Sequence, residues 1–155
     1  LRPRDWEAPG NINHDIAELN RLRRAHPALQ RFANLEFGSS DNDNLLCYVK
    51  TAYGDDLIVV VNLDPGRVHA GTVTVPVSAV GLGAEEAYQV EDLLSGARFE
   101  WRGADNEIEL DPHREPGRVL QRRLRLLHLR ARLHQPPLAR ASARSAACAC
   151  RACNS

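Results

Sequence analysis

Two short apolar runs on either side of a turn constrain the fold of this chain more than any other feature. They are LLCYVKT at residues 45–51 and LIVVVNL at residues 57–63, with AYGDD between them. Runs of this length, rich in β-branched residues and bounded by turn residues, predict the two strands of a hairpin. The second run is apolar on both faces, so we expect it at the centre of a sheet.

Further strand candidates follow at regular intervals, and no helical pattern lies between them. Pro76 cannot donate a hydrogen bond to a neighbouring strand, so its run predicts an edge strand or the end of one. Ser95 and Gly96 form a two-residue signal for a second hairpin. About six or seven short strands within roughly 90 residues predict an antiparallel β-sandwich rather than parallel βαβ units. These candidates are GTVTVPV (71–77), AYQVEDLL (87–94), ARFEW (97–101), NEIEL (106–110) and RVL (118–120).

One helix is predicted ahead of these strands, within NINHDIAELNRLRRAHPAL at residues 11–29. Asn11 or Asn13 can cap its start, and Pro27 ends it. Four aliphatic side chains recur at spacings of about three to four residues, which places them on one helical face. Burying them would contribute roughly 1.5 to 3 kcal/mol each, so we expect something to cover them. This aliphatic stripe consists of Ile12, Ile16, Leu19 and Leu22.

Charge and cysteine content divide the chain near residue 120. Residues 1–120 carry a formal charge of −8, whereas residues 121–155 hold eight Arg and no acidic residue and carry +8. Cys47 stands alone in the first part, whereas the other three cysteines lie in the last eight positions. Such a break predicts a boundary between unlike segments.

Nothing in the sequence predicts membrane insertion or secretion. No apolar run approaches the roughly 20 residues that a spanning helix needs, and no basic start precedes an apolar run. We therefore expect a soluble protein without a membrane partner. The chain has no Met and opens on Leu1, so we expect it to be a piece of a longer protein.

Candidate catalytic and metal-binding residues do not form a recognisable set. Cys47 lies within a strand pattern, which favours a small buried role over nucleophilic chemistry. His69 and His113 lack partners at metal-ligand spacing, and the GLG at residues 81–83 is a turn rather than a phosphate loop. We therefore assign no catalytic, cofactor-binding or metal-binding residue and expect no cofactor. Six acidic residues fall mostly in predicted turns, and we interpret them as solvated turn residues. They are Asp41, Asp43, Asp55, Asp56, Asp105 and Asp111.

The aromatic residues leave two interpretations open. Phe99 and Trp101 lie on one face of a strand, whereas Tyr88 and Trp6 lie elsewhere in the sequence. An exposed aromatic pair could stack on a sugar ring. Packing in the core or at its rim is the interpretation we favour.

Several segments, in order along residues 1 to about 120, resemble the C-terminal end of one enzyme family. That family is the maltose-1-phosphate maltosyltransferases, the GlgE-type members of the α-amylase superfamily. The match departs after NLDP, where the family commonly continues with His and this chain has Gly66 and Arg67. The segments are RPRDWEAPGNINHDIAELNRLRRAHPALQ (2–30), DNDNLLCYVKT (41–51), LIVVVNLDP (57–65), VEDLLSG (90–96), the Trp at 101 and LDPHREPGRVL (110–120).

The resemblance implies a large cytoplasmic enzyme that transfers maltosyl units from α-maltose 1-phosphate to the non-reducing ends of α-1,4-glucans. The family does this by a retaining double displacement on a (β/α)8 barrel, whose last helix leads into a C-terminal β-sandwich. Its catalytic carboxylates, and the Lys-Tyr pair near the donor phosphate, lie upstream of Leu1. The chain would therefore meet both substrates only through the parent enzyme, and the family suggests a homodimeric parent.

The resemblance and the composition together predict three segments. Residues 1–30 are the last loop and helix of a truncated barrel, and residues 31–121 are the C-terminal β-sandwich domain. Residues 122–155 are an Arg/Ala/Leu/Cys-rich tail without a counterpart in the family. We expect that tail to be disordered or a frayed helix, and our hypothesis is that it is out-of-frame translation of GC-rich DNA.

The composition of the tail also suggests two functional interpretations, metal binding and binding to an anionic partner. Zinc requires four ligands in a closed set, but CACRAC supplies only Cys148, Cys150 and Cys153, and His134 is 14 residues away from the first of them. The eight Arg could attract nucleic acid or an anionic membrane. We expect neither metal nor nucleic acid as a partner.

Two hypotheses about function follow. In the first, the chain is a structural, non-catalytic part of a maltosyltransferase whose partner is the rest of the catalytic barrel. In the second, it is a free-standing β-sandwich that binds α-glucan through aromatic platforms such as Trp101.

Overall fold

The computed structural model describes residues 8–123. Within that range the chain forms one α-helix, one 3-10 helix and nine β-strands. The predictions for Trp6, for the CACRAC cysteines and for the tail beyond residue 123 lie outside the described residues. The elements are α1 (Asn13–Ala25), η1 (Pro27–Gln30), β1 (Leu35–Phe37), β2 (Ser39–Ser40), β3 (Leu45–Ala52), β4 (Asp55–Asn62), β5 (His69–Thr74), β6 (Ala87–Asp92), β7 (Arg98–Arg102), β8 (Asp105–Leu110) and β9 (Gly117–Arg123).

The strands form two antiparallel sheets that pack as a β-sandwich, which confirms the predicted fold class. The larger sheet has six strands in the order β1-β3-β4-β9-β6-β7, and the smaller has three in the order β2-β5-β8. The apolar run predicted to be central forms β4, which lies between β3 and β9. The strand that ends the described range, β9, therefore joins the β3–β4 hairpin to the β6–β7 hairpin.

The hairpin between β3 and β4 turns through two residues only. Tyr53 and Gly54 have φ angles of 55° and 82°, and Ala52 pairs with Asp55 directly before and after them. Positive φ at both central positions suits the right-handed twist of the flanking strands. The turn is thus narrower than the predicted AYGDD, and Asp55 and Asp56 belong to β4.

One other turn prediction requires correction. The strands flanking Ser95 and Gly96 pair as predicted, but the connection is longer than two residues, because β6 ends at Asp92 and β7 begins at Arg98. The Asp92 carboxylate accepts hydrogen bonds from the Leu94 and Ser95 amides and so supports the wider loop. The prediction for the run with Pro76 was an edge strand or the end of one, and the second alternative is confirmed: β5 ends at Thr74, before Pro76, and lies between β2 and β8.

The main core lies between the two sheets. It is built from alternate residues of β3, β4, β6 and β8, with further side chains from β5, β7 and β9. The buried side chains are Leu45, Cys47, Val49, Ile58, Val60, Val73, Val75, Val80, Tyr88, Val90, Trp101, Ile108, Leu110 and Leu120.

A second apolar cluster lies on the other face of the six-stranded sheet. Leu57 and Val59 of β4 and Val119 of β9 are buried there against Ala28 of η1. The 3-10 helix thus covers part of this outer face, which explains why β4 is apolar on both sides.

Helix α1 forms where the sequence predicts it. The Asn11 side chain accepts a hydrogen bond from the Asn13 amide at 3.1 Å, close to the predicted capping role. The helix ends at Ala25, and Pro27 opens η1. No residue of α1 is buried, so within residues 8–123 nothing fully covers the aliphatic stripe.

Candidate functional site

A groove of about 590 Å³ lies between helix α1 and the outer face of the six-stranded sheet. Leu19 and Leu22 of α1 form one wall, and Val59 and Val61 of β4 lie on the sheet side. The groove is lined by residues of α1, η1, β3, β4 and β9. We call the groove and the aliphatic stripe together the docking face.

The aliphatic stripe leaves much of its surface in solvent. Ile12 is 62% exposed, Ile16 47% and Leu19 50%. Scattered exposed aliphatic residues are ordinary, but several on one helical face beside an apolar groove indicate an interaction surface. The uncovered stripe is therefore the strongest indication of a binding partner in this part of the chain.

The apolar surface continues onto the edge strand β1. Leu35 is 39% exposed and Phe37 is 65% exposed. The Phe37 ring meets Tyr48 edge-on, with ring centroids 6.3 Å apart, and Tyr48 also lines the groove. The docking face thus borders a second exposed apolar region at the sheet edge.

Asp55 ties the helical segment to the sheet. Its carboxylate contacts His26 Nδ1 at 3.0 Å and accepts the Ala28 amide at 3.2 Å. Gln121 of β9 donates to the same carboxylate at 3.2 Å. Because these three partners belong to three segments, Asp55 holds the end of α1 in a fixed position against the sandwich.

Asp56, the next residue, forms a largely buried ion pair. Arg122 Nε donates to Asp56 Oδ2 at 3.0 Å, and the two side chains are only 15% and 11% exposed for Arg122 and Asp56. Asp55 and Asp56 were interpreted as solvated turn residues, and that interpretation is wrong. A two-residue turn draws both into β4, where Gln121 and Arg122 of β9 reach their carboxylates.

The other acidic residues interpreted as solvated turn residues lie at or near the surface. Asp41, Asp43 and Asp105 are exposed and Asp111 is half-buried, in or beside loops. Within residues 8–123, no group of three or more His, Cys, Asp and Glu side chains is arranged to hold a metal ion.

The loop that departs from the resemblance at Gly66 and Arg67 contains a local His–Asp pair. His69 Nε2 lies 3.0 Å from Asp64 Oδ2, and the Gly66 amide donates to Asp64 Oδ1 at 2.8 Å. The hydrogen bond with His69, followed by that with Gly66, lowers the pKa of the Asp64 carboxyl. These bonds lie within one loop, so we interpret them as structural.

Cys47 is 2% exposed, as its strand pattern predicts. Burial raises the pKa of its thiol to about 11. At neutral pH the thiol therefore stays protonated, and a nucleophilic role requires the thiolate.

Trp101 belongs to the core rather than to a sugar-binding platform. It is 7% exposed, and it lies opposite Tyr88 in the strand register. Their rings meet edge-on, with centroids 6.3 Å apart. The prediction of core packing is confirmed for Trp101. Its direct partner is Tyr88, which the sequence did not predict to lie beside it.

Comparison with known proteins assigns the domain. A family model described as "GLGE, C-terminal" matches residues 37–121, which is more than half of the chain. The chain belongs to this family. The GLGE C-terminal match begins in β1 and ends in β9, so it covers every strand of the sandwich.

Relatives of known name support the same assignment for the GLGE C-terminal domain. The chain is 41% identical over 119 residues to an α-1,4-glucan:maltose-1-phosphate maltosyltransferase of Methylacidiphilum infernorum, covering 76% of this chain and 18% of that protein. It is 41% identical over 124 residues to a protein of the same name from Rhodospirillum rubrum, covering 78% of this chain and 18% of that protein. The chain thus spans less than a fifth of the length of the relatives that it matches.

Solved structures share the fold. An AmyP variant in complex with maltotriose matches with a TM-score of 0.52 and 26% identity, over 70% of this chain and 20% of that one. The maltogenic α-amylase AmyB of Thermotoga neapolitana matches with a TM-score of 0.56 and 12% identity, over 77% of this chain and 28% of that one. The fold of the GLGE C-terminal domain is therefore that of a domain found in α-amylase family proteins.

The described residues include no helix long and apolar enough to cross a bilayer. The features that the sequence does not predict are the Asp55 contacts and the stacking of the Arg31 guanidinium on the Tyr53 ring, 4.7 Å from its centroid. Both depend on the width of one turn, and the Tyr-Gly pair at residues 53 and 54 was the available signal.

Proposed function

We propose that this chain supplies the C-terminal β-sandwich of an enzyme that transfers maltosyl units from α-maltose 1-phosphate to α-1,4-glucan. Its own part in that reaction is structural, and it contributes no catalytic residue. The uncovered docking face supports this proposal most strongly. The chain also covers only 18% of the length of two relatives that are named for that activity. The parent enzyme would act in the cytoplasm, as a homodimer.

In this proposal, helix α1 is the last helix of the catalytic barrel and the docking face packs against the rest of that barrel. Residues 1–30 then belong to the barrel and residues 31–121 to the sandwich. Covering the aliphatic stripe would contribute roughly 1.5 to 3 kcal/mol for each side chain that becomes fully buried. The Asp55 contacts would fix the angle at which the sandwich meets the barrel.

Activity measurements test the structural role directly. The chain alone, incubated with α-maltose 1-phosphate and glycogen, should release no phosphate. A chimera that carries residues 8–121 in place of the matching segment of the Rhodospirillum rubrum relative should release phosphate. Turnover by the isolated chain, or a folded chimera without turnover, would contradict the proposal.

The alternative is a free-standing glucan-binding domain in which Trp101 stacks on a sugar ring. The structure does not support this role for Trp101. Trp101 is buried against Tyr88 and cannot meet a sugar ring. Any glucan contact on this domain must therefore use other aromatic residues.

A further inference from the structure

Two strongly exposed aromatic residues belong to the tip of the β3–β4 hairpin and to the segment that contacts this tip through Arg31. Phe32 is 91% exposed and Tyr53 is 82% exposed, the two largest values among the exposed large hydrophobic residues within residues 8–123. Tyr53 forms the turn itself, and Phe32 lies in the segment that leads from η1 to β1. Neither belongs to the docking face.

Arg31 fixes the orientation of the Tyr53 ring. The guanidinium carbon of Arg31 lies 4.7 Å from the centroid of that ring, and Arg31 Nη2 donates a hydrogen bond to the Tyr53 hydroxyl. Stacking of a guanidinium on an aromatic face is a favourable cation–π contact. Because the ring is still 82% exposed, its other face is open to solvent.

The segment that carries Arg31 and Phe32 is fastened to β3. Lys50 Nζ donates to the Arg31 carbonyl at 2.6 Å. Asn34 Nδ2 donates to the Thr51 carbonyl at 3.0 Å. These bonds hold the segment beside the hairpin tip, so the aromatic and cationic groups are arranged before any ligand arrives.

The backbone at Tyr53 is unfavourable for a tyrosine. Its φ is 55°, and among the non-glycine residues of the described part of the chain only Tyr53 has a positive φ. Asn or Gly suits this position of a two-residue hairpin turn better, and a bulky side chain there is uncommon. Folding alone therefore does not explain an exposed Tyr at this position, and sparsely populated backbone conformations of this kind occur at functional sites.

We propose that Tyr53, together with Arg31 and Phe32, forms a surface binding site for an α-1,4-glucan chain. The C–H face of a glucose unit packs on the open face of the Tyr53 ring, while the Arg31 guanidinium and the Tyr53 hydroxyl bond the sugar hydroxyls. An open surface of this kind suits one stretch of a polymer better than a small enclosed ligand. The choice of glucan as ligand rests on the proposed function, and the site binds the polymer without reacting with it.

Affinity electrophoresis of the full chain in gels containing glycogen tests the site. The wild-type chain should be retarded, and free maltoheptaose should relieve the retardation whereas cellohexaose, with β-linked glucose, should not. Tyr53→Asn should weaken the apparent affinity about tenfold, which corresponds to about 1.4 kcal/mol. Its melting temperature should be at least that of the wild type, because Asn tolerates positive φ.

Phe37→Ser provides a matched control, because Phe37 is also an exposed aromatic residue, at 65%, but lies on β1. It should leave the retardation by glycogen unchanged. Absence of retardation of the wild-type chain overturns the site, as does a Tyr53→Asn chain retarded like the wild type. Retardation by dextran sulfate without retardation by glycogen also overturns it, since the cationic groups would then bind anionic polymers. These results do not depend on the turnover of the chimera, so the site and the structural role can fail separately.

Discussion

Cys47 and Tyr88 make the stability of this domain sensitive to alkaline pH. Burial raises the pKa of the Cys47 thiol from 9.0 to about 11 and that of the Tyr88 hydroxyl from 10.0 to about 12. Between pH 9 and 11 the unfolded chain loses the thiol proton while the folded chain keeps it. The free energy of unfolding therefore falls as pH rises through that window, by about 2 to 3 kcal/mol for Cys47 when the difference is complete.

We expect urea unfolding at pH 8 and at pH 10.5 to show this loss, and the Cys47→Ala variant to show a smaller one. The smaller loss in Cys47→Ala would reflect Tyr88 and Tyr48, because burial raises the pKa of both hydroxyls and the variant retains them. Equal pH dependence in the variant and the wild type would contradict the assignment to Cys47.

At the scale of residues, the sequence predicts burial better than it predicts partners. Cys47 and Trp101 are buried as their strand patterns indicate. The pairing of Trp101 with Tyr88 depends on the register between β6 and β7, which the alternation of one strand does not reveal. The contacts of Asp55 and Asp56 depend on a turn three residues narrower than the predicted AYGDD.

At the scale of elements, Asp55 determines how firmly the helical segment is attached to the sheet. In Asp55→Ala, the contact with His26 and the hydrogen bonds from Ala28 and Gln121 are lost. We expect a loss of roughly 2 kcal/mol in the free energy of unfolding, because each lost hydrogen bond costs about 1 kcal/mol and leaves half-buried groups unsatisfied.

Hydrogen exchange should place the effect in one part of the chain. Amides of residues 13–30 should exchange faster in Asp55→Ala, whereas those of β4 and β9 should change less. Asp43→Ala, a change of an exposed loop residue, serves as the control and should leave both regions unchanged. Equal acceleration in the helix and in the strands would indicate general destabilisation instead.

The existence of most elements follows from sequence periodicity, whereas their edges do not. Helix α1 and the paired strands lie where apolar spacing predicts them, because burial of one face selects that spacing. The short strands β1 and β2 were not predicted, since Leu35–Phe37 and Ser39–Ser40 are too short to show alternation. The 3-10 helix Pro27–Gln30 is not predicted either, because Pro27 in the sequence indicates only the end of the preceding helix.

At the scale of the whole molecule, the docking face should make the isolated chain prone to self-association. We expect the chain to bind the dye ANS and to self-associate as its concentration rises, because the aliphatic stripe is exposed on α1. The double change Ile16→Glu and Leu19→Glu should reduce both effects. The melting temperature should change little, because neither side chain is buried.

Val68→Glu is the matched control for this prediction. Val68 is 52% exposed, similar to Leu19 at 50%, but it lies in the loop before β5. Light scattering and ANS fluorescence of Val68→Glu should equal those of the wild type. A decrease as large as in the Ile16→Glu, Leu19→Glu variant would mean that any added charge suffices.

The strand order of the larger sheet has a consequence for synthesis on the ribosome. The hairpins β3–β4 and β6–β7 are each local, and they can pair as soon as they emerge. Within residues 8–123, the strand that joins them is Gly117–Arg123, which pairs with β4 on one side and with β6 on the other. Until those seven residues emerge, each hairpin presents an open edge to chaperones and to other nascent chains. Folding of the larger sheet therefore requires β9. A premature stop a few codons before residue 117 would release two unjoined hairpins instead of a slightly shortened sandwich.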